Sequence, residues 1–151
     1  MLTTTAELKA YLRQLATDHV ALQEFIYGTS ERILARQNSV IRYPCLWMTI
    51  PDKVKLPDGR QQYSFSLWVL DQCEQDDEQE EAAMDAMETV ANDLYERLKE
   101  DARYGEFDFG KSQTVFQPKP RFSGDNDWGW VMDLDITLGE GGCYDPAKFS
   151  G

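Results

Sequence analysis

An α+β fold follows from three features of the chain: a long amphipathic helical segment, a proline–glycine turn between two alternating apolar runs, and a final run of strict alternation. Together they predict an antiparallel sheet of about four strands with a long acidic amphipathic helix packed on one face, plus N-terminal helices and a protruding β-hairpin. At 151 residues the chain is long enough for one domain with its own core. Residues 1–138 are read as that single α+β domain, and 139–151 as an extended glycine-rich C-terminal arm.

The first element reads as a helix. Thr4-Thr5-Ala6-Glu7 fits a capping box, Leu8, Tyr11, Leu12 and Leu15 recur at helical spacing, and the pattern ends near Asp18. A short apolar stretch, Phe25-Ile26-Tyr27, stops at Gly28, after which Thr29 or Ser30 caps a second short helix through Ile33, Leu34 and Gln37. The hairpin comes next. "YPCLWMTIP" and "QYSFSLWVLD" flank "DKVKLPDGRQ", in which Pro57 presets φ at the first corner of a turn and Gly59 accepts a positive φ at its exit. Tyr63, Phe65, Leu67 and Val69 face one side, and Ser64, Ser66 and Trp68 the other. The tip alternates Lys53, Val54, Lys55 and Leu56 before Pro57, which reads as an arm reaching beyond the sheet, its lysines discouraging stray edge pairing.

The stretch "QDDEQEE" then places five carboxylates in seven positions. From Asp77 to about Ala102, Ala83, Met84, Met87, Val90, Ala91, Leu94, Tyr95 and Leu98 fall on one apolar arc, while Glu78, Glu81, Asp85, Glu88 and Glu96 fall on the opposite one. Glu80 alone lands on the apolar side, which a capping box with Asp77 as N-cap explains. First-turn carboxylates also interact with the helix dipole, by about 0.3–1 kcal/mol each. Arg97, Lys99 and Arg103 sit near the other end, and Gly105 is a stop. The acid-rich stretch is mainly a helix start with a solvated face.

The last third returns to strands. "SQTVFQPKPRF" is extended, with Pro118 and Pro120 confining it to an edge or a strand end; "GDND" is a turn. In "WGWVMDLDITL", Trp128, Trp130, Met132, Leu134, Ile136 and Leu138 share one face, and Gly129, Asp133, Asp135 and Thr137 the other, so one face is packed and one wet. "GEGGCYDPAKFSG" has no period.

Composition narrows the function. The chain is 42% hydrophobic and 12% aromatic, a globular balance, and holds no apolar run of about 18 residues that would span a bilayer. Its start carries neither a basic nor an apolar leader segment, so no secretory signal is expected. Cys45, Cys73 and Cys143 match no zinc or redox spacing and read as ordinary thiols. The net charge is −12, and residues 71–101 hold 13 acids against Arg97 and Lys99, so nearly all of the imbalance lies there. Such a surface repels duplex DNA and anionic lipid; neither specific nucleic-acid binding nor membrane binding is expected. His19 follows Asp18 but has no nucleophile to serve and reads as a surface or helix-end residue. Asp125, Asn126 and Asp127 read as turn formers, and the acidic run lacks the Asp/Asn alternation and central glycine of a calcium loop. "GEGG" is followed by no Lys-Ser/Thr and is not a phosphate loop. No catalytic residue, cofactor or metal ligand is assigned, and no enzyme is expected.

Three stretches carry a family likeness: "FIYG" at 25–28, "YPCLW" at 43–47 followed by "FSLWVLD" at 65–71, and "DWGWVMDLDITL" at 127–138 with Cys143 beyond. In their order and spacing they resemble small structural proteins of tailed bacteriophages, the tail-terminator or tail-completion group of the neck, particularly those from phages of Bacteroidetes-type hosts. The resemblance implies a non-enzymatic virion protein, assembled in the host cytoplasm, that forms a ring, commonly of six subunits. That ring caps the tail tube, so its partners are other copies of itself, the tail-tube protein and the head–tail connector. A closing ring needs heterologous contacts, for which Lys53, Val54, Lys55, Leu56 and Pro57 of the hairpin and Tyr144 and Phe149 of the arm are the candidates. The alternative from another class is a monomeric acidic inhibitor that mimics DNA and occupies a nucleic-acid-binding enzyme, motivated by the acids of residues 71–101.

Overall fold

In the computed structural model, which describes residues 1–35, 41–110, 113–140 and 145–149, the Thr4 hydroxyl accepts from the Glu7 N–H at 3.1 Å and starts helix α1 (Thr5–Asp18). The Glu7 carboxylate returns to the Thr3 N–H at 3.0 Å, so the reciprocal half of the cap reaches one residue further back than a standard box. Leu8, Leu12, Leu15 and Ala16 form the buried stripe of α1. Strand β1 (Glu24–Tyr27) and the short helix α2 (Ser30–Ala35) follow; Gln37, expected in that helix, lies outside the described residues.

Strands β2 (Cys45–Met48) and β3 (Asp52–Lys55) share one edge of the long β4 (Gln61–Gln72). They are separated at Thr49–Pro51, where proline has no N–H to donate. Thr49 bridges the gap: its N–H donates to the Ser66 carbonyl at 3.0 Å, and its hydroxyl accepts the Ser66 N–H at 2.8 Å. The turn closes as its residues demand, with Gly59 at φ 91° and the Leu56 N–H donating to the Arg60 carbonyl at 2.8 Å. The hairpin does not protrude as expected. β4 pairs with β7 (Asp127–Leu138) over its whole length, from Gln61 opposite Leu138 to Gln72 opposite Asp127, so only the turn lies past the last rung. An alternating sequence shows a hairpin but not whether its second strand has a partner on the other side.

The sheet has seven strands and is mixed, in the order β1-β2-β4-β7-β5, with β3 beside β4, and with β5 (Asp108–Phe109) and β6 (Val115–Lys119) sharing the outer edge of β7. The expectation of about four antiparallel strands is thereby corrected. The parallel pair, β1 with β2, escaped because four residues carry no period, and residues 28–44 supply the crossover that a parallel neighbour needs. Pro118 occupies the edge strand β6, as proline must.

Helix α3 (Asp77–Arg103) also differs at its start. Asp76, extended at φ −145° and ψ 125°, is the N-cap and accepts from the Glu78 N–H at 3.3 Å. Asp77 is the first helical residue, and Glu80 faces Arg121 instead of folding back. Two adjacent aspartates offer the same capping chemistry, and sequence cannot choose between them. Gly105, at φ 85°, follows the helix end.

α1 lies over β1 and β2, and α3 over β7 and β4. The main core is the helix-facing row Tyr63, Phe65, Leu67 and Val69 of β4 and Met132, Leu134, Ile136 and Leu138 of β7, closed by Met87, Leu94 and Leu98 of α3. Each such side chain contributes about 1.5–3 kcal/mol on burial. The opposite sheet face is wet along only half its length, where Ser64, Ser66, Asp133 and Asp135 lie. Over the other half, Ile26, Ile33, Ile41, Cys45, Trp47 and Leu70 make a second core with Trp68 and Phe122, and the Trp47 indole donates to the Gly28 carbonyl at 2.8 Å.

Candidate interaction surfaces

Helix α3 carries two different charge arrangements. Glu78, Glu81, Asp85, Glu88 and Glu96 are all exposed, as their helical phase requires. From Glu74 to Glu96 the sequence contains no lysine or arginine. The last turns are paired instead: Arg97 with Asp101 at 3.1 Å, Lys99 with Glu96 at 3.6 Å, and Arg103 with Glu100 at 3.2 Å. Beside the acidic half, Asp77, Glu80, Glu81, Met84 and Trp128 line an open depression of about 540 Å³. The Trp130 indole donates to the Met84 carbonyl at 3.0 Å, and the Trp128 indole to Asn126 Oδ1 at 3.1 Å, so β7 holds this wall against the helix. Glu80 is nearly buried, with Arg121 3.6 Å from its carboxylate.

The hairpin residues lie on the outer edge of the sheet. Lys53, Val54, Lys55 and Pro57 are exposed and Leu56 is half-buried; Lys53 Nζ sits 5.9 Å from the Tyr63 ring centroid. Phe149 is also exposed and follows a 3-10 turn over Pro146–Lys148, capped by Asp145. That stretch of the expected extended arm is therefore turned rather than straight. Tyr144 and Cys143 lie outside the described residues.

Other polar clusters serve the fold. His19 Nδ1 accepts from the Ala21 N–H at 3.1 Å, which leaves the proton on Nε2 to be donated to Asp93 at 2.9 Å. His19 thus ties the end of α1 to α3, while Asp18 accepts from Gln14. Tyr11 reaches Asp101 across the same helix pair, and burial, then that hydrogen bond, push its pKa far above the ordinary tyrosine value. Tyr43 donates to Asp125 at 3.0 Å and to Asp127 at 3.2 Å; burial and the Asp127 charge raise its pKa as strongly. Asp127 is fully buried and accepts from the Ser123 N–H and hydroxyl at 2.6 and 2.7 Å, so "GDND" is a locked turn, with Asn126 at φ 54°. The Cys73 thiol is raised by burial and by neighbouring carboxylates, Glu80 foremost. Among the described residues no group of three or more His, Cys, Asp or Glu is placed to hold a metal ion, and no helix is long and apolar enough to cross a membrane.

Two surfaces had no place in the sequence reading. One is the bare half of the sheet, a shallow depression of about 340 Å³ that includes Thr49, Ile50, Asp52, Ser64, Asp133 and Asp135. The other is the outer flank of α1, where Lys9 and Arg13 lie over the rings of Tyr27 and Phe25 in β1. Spacing of four on a helix was the available signal for the second; nothing in the sequence set these cations beside β1. No protein-family model, no curated protein and no solved structure matches this chain.

Proposed function

We propose that the chain is a structural subunit of a phage virion, of the tail-terminator or neck type, that assembles with copies of itself into a ring capping the tail tube and meeting the head connector. One observation carries the self-assembly part of this reading: β3 is hydrogen-bonded into the sheet yet exposed at all four residues, with Val54 57% accessible. An exposed edge strand with an apolar residue is a surface that proteins cover or use; the lysines beside Val54 discourage pairing with a like-charged edge and favour a partner of opposite charge. The phage assignment rests on the three motif stretches, two of which, 65–71 and 127–138, are the paired central strands β4 and β7.

Sedimentation and negative-stain micrographs of the purified full chain test the reading. Closed rings are expected, together with weaker assembly when residues 140–151 are removed. A chain that stays monomeric and captures a nuclease from a defined panel would replace it with the acidic-inhibitor reading.

A further inference from the structure

We infer that consecutive subunits join head to tail by opposite charge: the α1/β1/β3 end of one copy docks on the acidic N-terminal half of α3, beside Trp128, in the next. This rests on the self-assembly reading and specifies its contact. The two ends of the sheet differ in kind. β1 and β3 line one edge, β5 and β6 the other, with α1 over the first end and α3 over the second. An end-to-end contact is therefore heterologous and propagates in one direction until a rotation closes it.

Charge is segregated along the same axis. Lys9 Nζ lies 4.8 Å from the Tyr27 ring centroid and the Arg13 guanidinium 5.3 Å from that of Phe25, so both cations sit over β1. The other flank of α1 faces α3 through Tyr11–Asp101 and His19–Asp93. Among the described residues neither Lys9 nor Arg13 forms an ion pair. Arg13 and Arg42 open onto a depression of about 520 Å³, whose one carboxylate, Glu24, accepts the Arg42 backbone N–H at 2.7 Å. Lys53 continues the basic edge on β3.

At the far end Asp77, Glu81, Asp85 and Glu88 are exposed and make no ion pair among the described residues. Arg121, just past β6, faces Glu80, and the cations of α3 itself, Arg97, Lys99 and Arg103, pair within its last turns. Trp128 supplies an aromatic wall on which a guanidinium can lie. Each end also exposes a valine, Val20 at 96% beside α1 and Val115 at 54% on β6, which gives the contact an apolar element to exclude water. The occupant is a second copy because both halves of the complementary pair belong to this chain; a polyanion such as nucleic acid would meet few cations on a molecule of net charge −12.

Two exposed-site variants test it: Lys9→Glu with Arg13→Glu, and Glu81→Arg with Asp85→Arg, each checked for a wild-type circular-dichroism spectrum and followed by analytical ultracentrifugation. Like charges facing across the contact are expected to weaken self-association about 100-fold or more in each variant alone. Mixed in equal amounts, the two meet with opposite charge at both contacts, native at one and reversed at the other, and should co-assemble into alternating oligomers that neither forms alone. A chain carrying all four substitutions should regain rings, and NaCl should weaken wild-type assembly. Rings that tolerate either variant overturn this contact while leaving self-assembly intact; a monomeric wild type together with a mixture that does not associate overturns both.

Discussion

Gly129 lies in β7 opposite Leu70 of β4, between Trp128, which walls the acidic depression, and Trp130, which bonds to the Met84 carbonyl. A Cβ at this position would fall inside the van der Waals envelope of the Val69 carbonyl oxygen, 2.8 Å from that carbonyl carbon and 3.0 Å from Leu70 Cα. These are backbone atoms of a central strand, so no rotamer change relieves the clash and the strands must part. Gly129→Ala should therefore cost about 1–3 kcal/mol of overpacking and the loss of roughly two ladder hydrogen bonds at about 0.5–1.5 kcal/mol each. The total, about 2–6 kcal/mol, is a large share of the 5–15 kcal/mol typical of a domain. A melting temperature lower by roughly 10 °C is expected, read by circular dichroism and checked by urea midpoint. Gly105→Ala is the contrast: its φ of 85° is strained for alanine, yet nothing lies within 4 Å, so the cost should stay near 1 kcal/mol. If Gly129→Ala melts within about 2 °C of wild type, the close approach of β4 and β7, and the register that sets it, are wrong.

The cap assignment predicts that Asp76→Ala costs about 1 kcal/mol and Asp77→Ala only a few tenths, in thermal melts of the two variants; the reverse order would restore Asp77 as N-cap. Tyr11 and Tyr43 stay neutral in the folded chain because their pKa values are raised, whereas unfolded tyrosine ionises near pH 10. Their linkage stabilisation is complete below about pH 10 and is lost as pH rises above it, because the unfolded state then holds fewer protons. Urea midpoints of the wild type should fall steeply above about pH 10, and those of a Tyr11→Phe, Tyr43→Phe double variant less steeply; equal slopes would refute the assignment. Added NaCl should raise the melting temperature of the Lys9→Glu, Arg13→Glu subunit while it weakens wild-type assembly.

The elements that stood out in the sequence were those whose burial alternates cleanly. Residues 77–102 of the acidic helix were placed within one residue of α3, and the facing rows of β4 and β7 were assigned correctly, because a helical or two-residue period survives only where one side is packed. β1, the pairing of β5 and the break between β2 and β3 are not legible in the sequence. Four or two residues carry no period, and their strand character comes from neighbours distant in sequence, Cys45–Met48 for β1 and Ile136–Thr137 for β5. The second core shows the same limit: Trp68 shares a face with Ser64 and Ser66, which gives no sign of packing, yet it packs against Trp47 and Phe122 with ring centroids 4.7 and 4.8 Å apart. Of the interaction surface, the acids and the hairpin could be named from sequence. The basic flank of α1 could not, because Lys9 and Arg13 acquire meaning only beside Phe25 and Tyr27.

The two halves of α3 follow opposite rules, which bears on what the acidic half is for. Its last turns satisfy local electrostatics, each cation lying three or four residues from a carboxylate. Its first turns do the reverse: Asp77, Glu81 and Asp85 are spaced by four, so each faces a like charge at a cost of about 0.2–0.5 kcal/mol per pair. The helix dipole offsets this only over the first turn, and Glu81, Asp85 and Glu88 lie beyond it. Among the described residues no ion pair offsets that repulsion, and solvation of a helix face needs no such concentration of one sign. An opposing cation from another molecule removes the cost and turns it into attraction. Salt must then act with two signs, screening repulsion inside the subunit and attraction between subunits. If NaCl destabilised the isolated subunit, the first turns of α3 would have cationic partners within their own chain, and they would have no unmet charge to offer a neighbour.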